Sequence, residues 1–205
     1  MATATQEIPG DQRLKELGLG LRELPPEFGL AEEFLELCRS LGPKVPWQHF
    51  PSEYPEHAAR HKLEVLSSNE ARGNATYRGV TDEHGRLIGI ASAVHEYGID
   101  TNKYVAEVGC ALLSGYESPD AIAAVLEAIC SITPAAVNKA AKEYRWIPTF
   151  SNFVFVTWCQ PGIELEAAEM AGFTRRTPPA RTTDGGTEKR YLTRSMSTRK
   201  KPVSG

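Results

Sequence analysis

Two neighbouring segments constrain this chain more than any other feature: RLIGIASAVHEYG (86–98) and YVAEVGCALL (104–113). Small and apolar residues occupy both parities of each. A strand of that kind must be covered on both faces, so helices have to lie above and below it. The segment before them, ATYRGVTD (75–82), is joined to 86–98 by Glu83-His84-Gly85. That tripeptide reads as a hairpin turn, with glycine where positive φ is needed.

The covering helices are legible on either side. Residues 28–41 place Phe34, Leu35, Leu37, Cys38 and Leu41 on one face at the 3.6-residue period, and Gly42-Pro43 ends the run. Residues 56–71 read as a second helix, with Ala59, Leu63 and Leu66 inward. After 104–113, Ser118-Pro119-Asp120 opens a third helix: Ser118 suits the N-cap and Pro119 the first helical position. Ile122, Val125, Leu126 and Ile129 make its buried stripe. Pro134 is read as the start of a separate helical stretch to about Arg145. NFVFVTW (152–158) is a buried strand, 163–173 a short helix, and FTRRT pairs with EKRYLTR in a last hairpin. With a short strand at 19–23, the chain reads as a mixed α/β domain with a largely antiparallel central sheet flanked by helices. Residues 1–16 are expected to be a disordered N-terminus, 17–195 the domain, and 196–205 a basic flexible tail. The stretch 131–150 reads as an insertion that covers a pocket, forms a homodimer face or enters the core. PKVPWQHFPSEYP (43–55) reads as an ordered loop.

Composition narrows the setting. Cys38, Cys110, Cys130 and Cys159 are scattered, which favours reduced thiols in a cytoplasmic or nuclear compartment over a disulfide framework or zinc knuckle. Residues 1–10 lack the regions of a signal peptide, and no unbroken apolar run suggests a membrane span. From Thr174 onward there are nine Lys/Arg against two Asp/Glu, in a chain whose net charge is −3. That basic end is read as a solvated tail, since no nucleic-acid recognition module accompanies it. His57 and His61 share a helix face, but without a third ligand they do not make a metal site.

A Gly-containing hairpin, then AEVGCALL (106–113) running into a helix start at 118–120, and much later EMAGF (169–173) before a final hairpin: in this order the chain resembles the GNAT superfamily of acyl-CoA-dependent N-acyltransferases. The resemblance covers roughly residues 19–194. It implies acetyl-CoA or another acyl-CoA as co-substrate and a small-molecule or peptide amine as acceptor. Glu107 stands where the histone-acetylating branch places its general base, and its apolar neighbours lead us to expect partial desolvation and a raised pKa. His95 and Tyr97 would line the acceptor pocket, with His95 as an alternative base. Leu112 and Leu113 would offer backbone groups to the pantetheine arm. Gly115, Ser118 and Ala121 would stand at the diphosphate.

The resemblance breaks at the diphosphate loop. The family's Gln/Arg-x-x-Gly-x-Gly/Ala pattern is replaced by GYESPDAIAA (115–124). No Lys or Arg occurs from Tyr104 through Asn138, whereas Glu107, Glu117, Asp120 and Glu127 do. Asp120, in the first helical turn, competes with a phosphate for the same N–H groups. Arg175, Arg176 and Arg181 are the cations expected to compensate. Pro161 and Ala168 stand where the family often has Asn and Tyr. Three readings follow: an N-acyltransferase, a GNAT-like binding module that has lost CoA, or a cyclase or isomerase using a His95/Glu107 pair.

Overall fold

The computed structural model describes residues 11–24, 28–42, 56–96, 103–144, 148–175, 181–184 and 187–198. The elements run α1 (Asp11–Glu16), β1 (Gly20–Arg22), α2 (Phe28–Leu41), α3 (Glu56–Ala71), β2 (Ala75–Thr81), β3 (Leu87–His95), β4 (Tyr104–Leu112), α4 (Pro119–Glu143), β5 (Asn152–Cys159), α5 (Ile163–Met170), β6 (Thr174–Arg175), β7 (Arg181–Asp184) and β8 (Thr187–Ser197). They build one sheet in the order β1-β2-β3-β4-β5-β8-β6, with β7 paired to β8. Every neighbouring pair is antiparallel except β4 and β5. A parallel pair needs a long crossover, and α4 is that crossover.

The doubly apolar strands are covered on both faces, as their composition demands. One core cluster sets Ala91, Ala93, Tyr104, Ala106 and Val108 against α4 and α5. The other sets Tyr77, Leu87, Ile90 and Ala111 against α2 and α3. Phe34 and Leu63 are fully buried in the second cluster. Burying each side chain of that size stabilises by roughly 1.5–3 kcal/mol. Gly85 adopts φ +77°, the positive value its turn requires. Asp82 Oδ1 fixes the turn by accepting from the His84 and Arg86 N–H groups, both at 3.0 Å. Along β3, Val80 pairs with Gly89 but Thr81 with Leu87, which leaves Ile88 as a bulge residue. Ile88 therefore turns into the α4 cluster, while Leu87 and Ile90 belong to the other.

Four sequence expectations need correction. The N-terminal stretch 1–16 is helical over Asp11–Glu16, because Leu14 is buried against α4. The helix ends at Gly18, φ +67°, with the Leu19 N–H donating to the Leu14 carbonyl at 2.8 Å. Pro134 does not begin a new element. It lies inside α4, which continues to Glu143, so much of the supposed insertion 131–150 is core helix. One missing backbone bond is offset by burial on both sides of it: Cys130, Thr133 and Val137 are all buried. β8 reaches Ser197, so the tail begins later than 196. Finally, α4 is long and apolar enough to cross a membrane by length and composition; here its apolar surface lies on the sheet. The loop 43–55 lies outside the described residues.

Candidate active site

β4 and β5 pair only from Tyr104↔Phe153 to Glu107↔Val156. Both strands continue, β4 to Leu112 along β3 and β5 to Cys159 along β8. Two strands that go on without pairing each other have separated. The result is a V-shaped gap in the middle of the sheet, with its apex at Glu107 and Val156 and its mouth where β4 turns toward α4.

Backbone groups line one wall of this gap. In an antiparallel ladder, successive residues aim their N–H and C=O alternately at one neighbour strand and the other. The Leu113 N–H donates to the Ile88 carbonyl and the Glu96 N–H to the Val105 carbonyl, each at 2.9 Å. Odd-numbered residues of β4 thus spend their backbone on β3. The even-numbered Cys110 and Leu112 aim theirs into the gap. Leu112 thus has backbone groups directed at the gap, whereas the Leu113 N–H is used on β3. The Cys110 thiol is disfavoured as a thiolate. Burial pushes it up to about 12, and Glu164, Cys159 and Glu117 add to the effect.

At the apex, the pleat divides the two candidate bases. Glu107 is the register partner of Val94, and His95 of Ala106, so their side chains leave opposite faces of the sheet. Glu107 lines a cavity of about 220 Å³ with Ser92, Val94, Glu96 and Gly109, and His95 joins its wall. The Glu107 side chain is exposed, not desolvated. Its apolar sequence neighbours Ala106 and Val108 point to the other face and do not shield it. The His95 ring stacks on Tyr104, with centroids 4.5 Å apart at 12°, and meets the edge of Phe150 at 6.2 Å. Burial lowers its pKa, so it is neutral near pH 7. The structure does not bring His95 and Glu107 together as a pair. Tyr97 lies outside the described residues. Glu96, which the sequence reading passed over, shares the face of Val94 and Glu107. Burial pushes its carboxyl upward, and the Glu107 charge adds to that. Period-two counting from Glu107 through the hairpin could have found it.

At the mouth, α4 caps itself. Ser118 Oγ accepts from the Ala121 N–H at 3.1 Å, and Pro119 has no N–H to give. That leaves the Asp120 N–H as the free donor of the first turn. A Cβ at Gly115 would meet nothing within 4 Å, so no close backbone approach explains that glycine. The acids are met by a cation from elsewhere: Arg13 of α1 reaches Asp120 Oδ1 at 2.9 Å and Glu127 Oε1 at 3.4 Å. The expected Arg175 is engaged with Glu169 at 2.7 Å. Arg176 and the Arg181 side chain lie outside the described residues. The gap thus fits a thioester-bearing arm that needs strand-like backbone partners, while the α4 start fits a diphosphate only sparingly. Among the described residues no group of three His, Cys, Asp or Glu could hold a metal ion.

No protein-family model matches the chain. No curated protein sequence matches it either. Its fold, however, recurs in solved structures. An acetyltransferase of the GNAT family from Streptococcus pneumoniae is similar at TM-score 0.59 and 10% identity, over 87% of this chain and 99% of that one. The microcin C7 self-immunity acetyltransferase, solved with acetyl-CoA and AMP, is similar at TM-score 0.58 and 16% identity, over 87% and 93%. The ribosomal-protein-S5-alanine acetyltransferase from Vibrio fischeri is similar at TM-score 0.57 and 15% identity, over 90% and 96%. The chain has the GNAT acetyltransferase fold.

Proposed function

We propose that this GNAT-fold chain is an acyl-CoA-dependent N-acyltransferase acting on an amine. The observation that carries the reading is the early end of β4–β5 pairing, with an exposed carboxylate at the apex. An amine must shed its proton before it can attack a thioester, and Glu107 stands free to take that proton directly or through one water. The Cys110 and Leu112 backbone groups would align the pantetheine arm. The Val108 N–H, next after the last strand pair, is the donor nearest the place where negative charge develops on the thioester oxygen. Arg13 and the Asp120 N–H would take the diphosphate. A solved neighbour holding acetyl-CoA and another named for a ribosomal-protein alanine support an acetyl donor and a peptide or small-molecule amine as acceptor.

The test is release of free thiol from acetyl-CoA and longer acyl-CoAs over a panel of amines, with CoA binding read separately by calorimetry. The self-capped start of α4 favours a second reading, a GNAT-fold binding module without CoA. Calorimetry silent toward every acyl-CoA at millimolar concentration would select it and end the enzyme reading.

A further inference from the structure

Glu107 and Glu96 stand on one face of the β3–β4 ladder. Val94 is the register partner of Glu107, and Glu96, just past the end of β3, has the parity of Val94 and is held to β4 by its N–H on the Val105 carbonyl. Diagonal neighbours of this kind are about 7–8 Å apart along the backbone, within reach for long side chains. Both line the cavity at the apex of the gap. Among the described residues no Lys, Arg or His pairs with either carboxylate; the ion pairs of the fold lie elsewhere. The other described side chains of the cavity, Ser92 and Val94, bring no charge, and His95 sends its ring to the opposite face and is neutral near pH 7. Two like charges face one pocket, and no Lys or Arg is among the described residues that line it. One carboxylate suffices to deprotonate an amine. A second one in the same pocket can receive a second positive charge.

We propose that Glu96 is a specificity-determining residue that selects acceptors carrying two cationic nitrogens, one reactive and one retained. This rests on the N-acyltransferase reading for the reaction itself. The retained ammonium sits against Glu96. The reactive ammonium gives one proton to Glu107, its nitrogen lone pair forms the new bond to the thioester carbon, and the carbon–sulfur bond breaks. The nitrogen's second proton goes to the departing sulfur, so the products are the N-acyl amine, still carrying its second charge, and the free thiol, with one proton released to solvent through Glu107. A free diamine and a peptide N-terminus followed by lysine present the same pair of charges.

The experiment compares the unbranched five-carbon diamine with the five-carbon monoamine, and an Ala-Lys with an Ala-Ala dipeptide amide. Each is tested for binding to the full chain by calorimetry without acyl-CoA, and then for thiol release with acetyl-CoA. The dicationic member of at least one pair should bind about tenfold tighter and show a correspondingly lower KM, the effect of one charge-assisted contact in a partly dry site. The pair that discriminates names the source. Glu96→Gln should reduce the ratio to near one through KM rather than kcat, and Glu96→Lys should reverse it in favour of an amine bearing a carboxylate. Circular dichroism melts check that both variants are folded. Equal binding within both pairs, or discrimination that survives Glu96→Gln, overturns the proposal. Discriminating binding with no thiol release would leave Glu96 as the selector and remove the acyltransferase reading instead.

Discussion

The middle of β4 and the start of α4, the two ends of the gap, are built on opposite principles. At Glu107 the strand loses its parallel partner, and the acidic side chains around the cavity have no cation from the described fold. Further along, at the start of α4, Ser118 closes a backbone donor and Arg13 is drawn in to meet Asp120 and Glu127. The first end is left open for something to arrive. The second is largely satisfied by the chain itself. The contrast teaches that charge alone does not mark a site: four acids lie in one window of sequence, yet only those the fold leaves unmet can still act on a ligand.

The strongest way to break the contrast is at the open end. Glu107→Gln keeps shape and removes the proton acceptor, so thiol release should fall by about 10²–10⁴, while calorimetry should show CoA binding retained. A loss below tenfold would mean that another group takes the proton. Leu14→Ala attacks the closed end from beneath. Leu14 is 2% exposed and seats α1 on α4, and a buried truncation of this kind costs about 2–5 kcal/mol. A matching fall in denaturant midpoint is expected, and an unchanged midpoint would show that α1 is only loosely attached.

Asp120→Asn sharpens the contrast. It releases Arg13 from one of its two carboxylates and removes a negative charge from the first turn of α4, which should tighten CoA binding about three- to tenfold, from a dipole and pairing effect of about 0.3–1 kcal/mol or somewhat more. Arg13→Ala should act in the opposite direction, and unchanged affinity in both would place the diphosphate elsewhere. The smallest effect concerns His95. Its pKa is lowered in the folded chain, so the unfolded chain binds the proton more tightly, and stability is lost as pH falls below the unfolded value near 6.5. His95→Phe preserves the ring against Tyr104 and should flatten the stability profile below pH 6.5. An unchanged slope in chemical denaturation would assign that acid loss to other groups.

Much of this arrangement was legible in the residues. Helices 28–41 and 56–71 carry enough periodic apolar positions to declare themselves, and both match α2 and α3 in their bounds. The Ser-Pro-Asp start of α4 is local chemistry and was read correctly. What failed depended on distant partners. α1 has six residues and one buried anchor, and its ion pair joins positions 107 apart. Pro134 reads as a break locally, but the sheet beneath it decides otherwise. The choice between Leu112 and Leu113, and the separation of His95 from Glu107, turn on a ladder register that composition cannot supply.

One irregular residue interrupts that ladder. Ile88 is the extra member opposite the β2 strand, between the fixed turn at Gly85 and everything downstream on β3. Excising it would leave Thr81 opposite Leu87 and Val80 opposite Gly89, a regular ladder in which Ser92 and Val94 keep their face, and the loss would be felt in the α4 cluster that Ile88 fills.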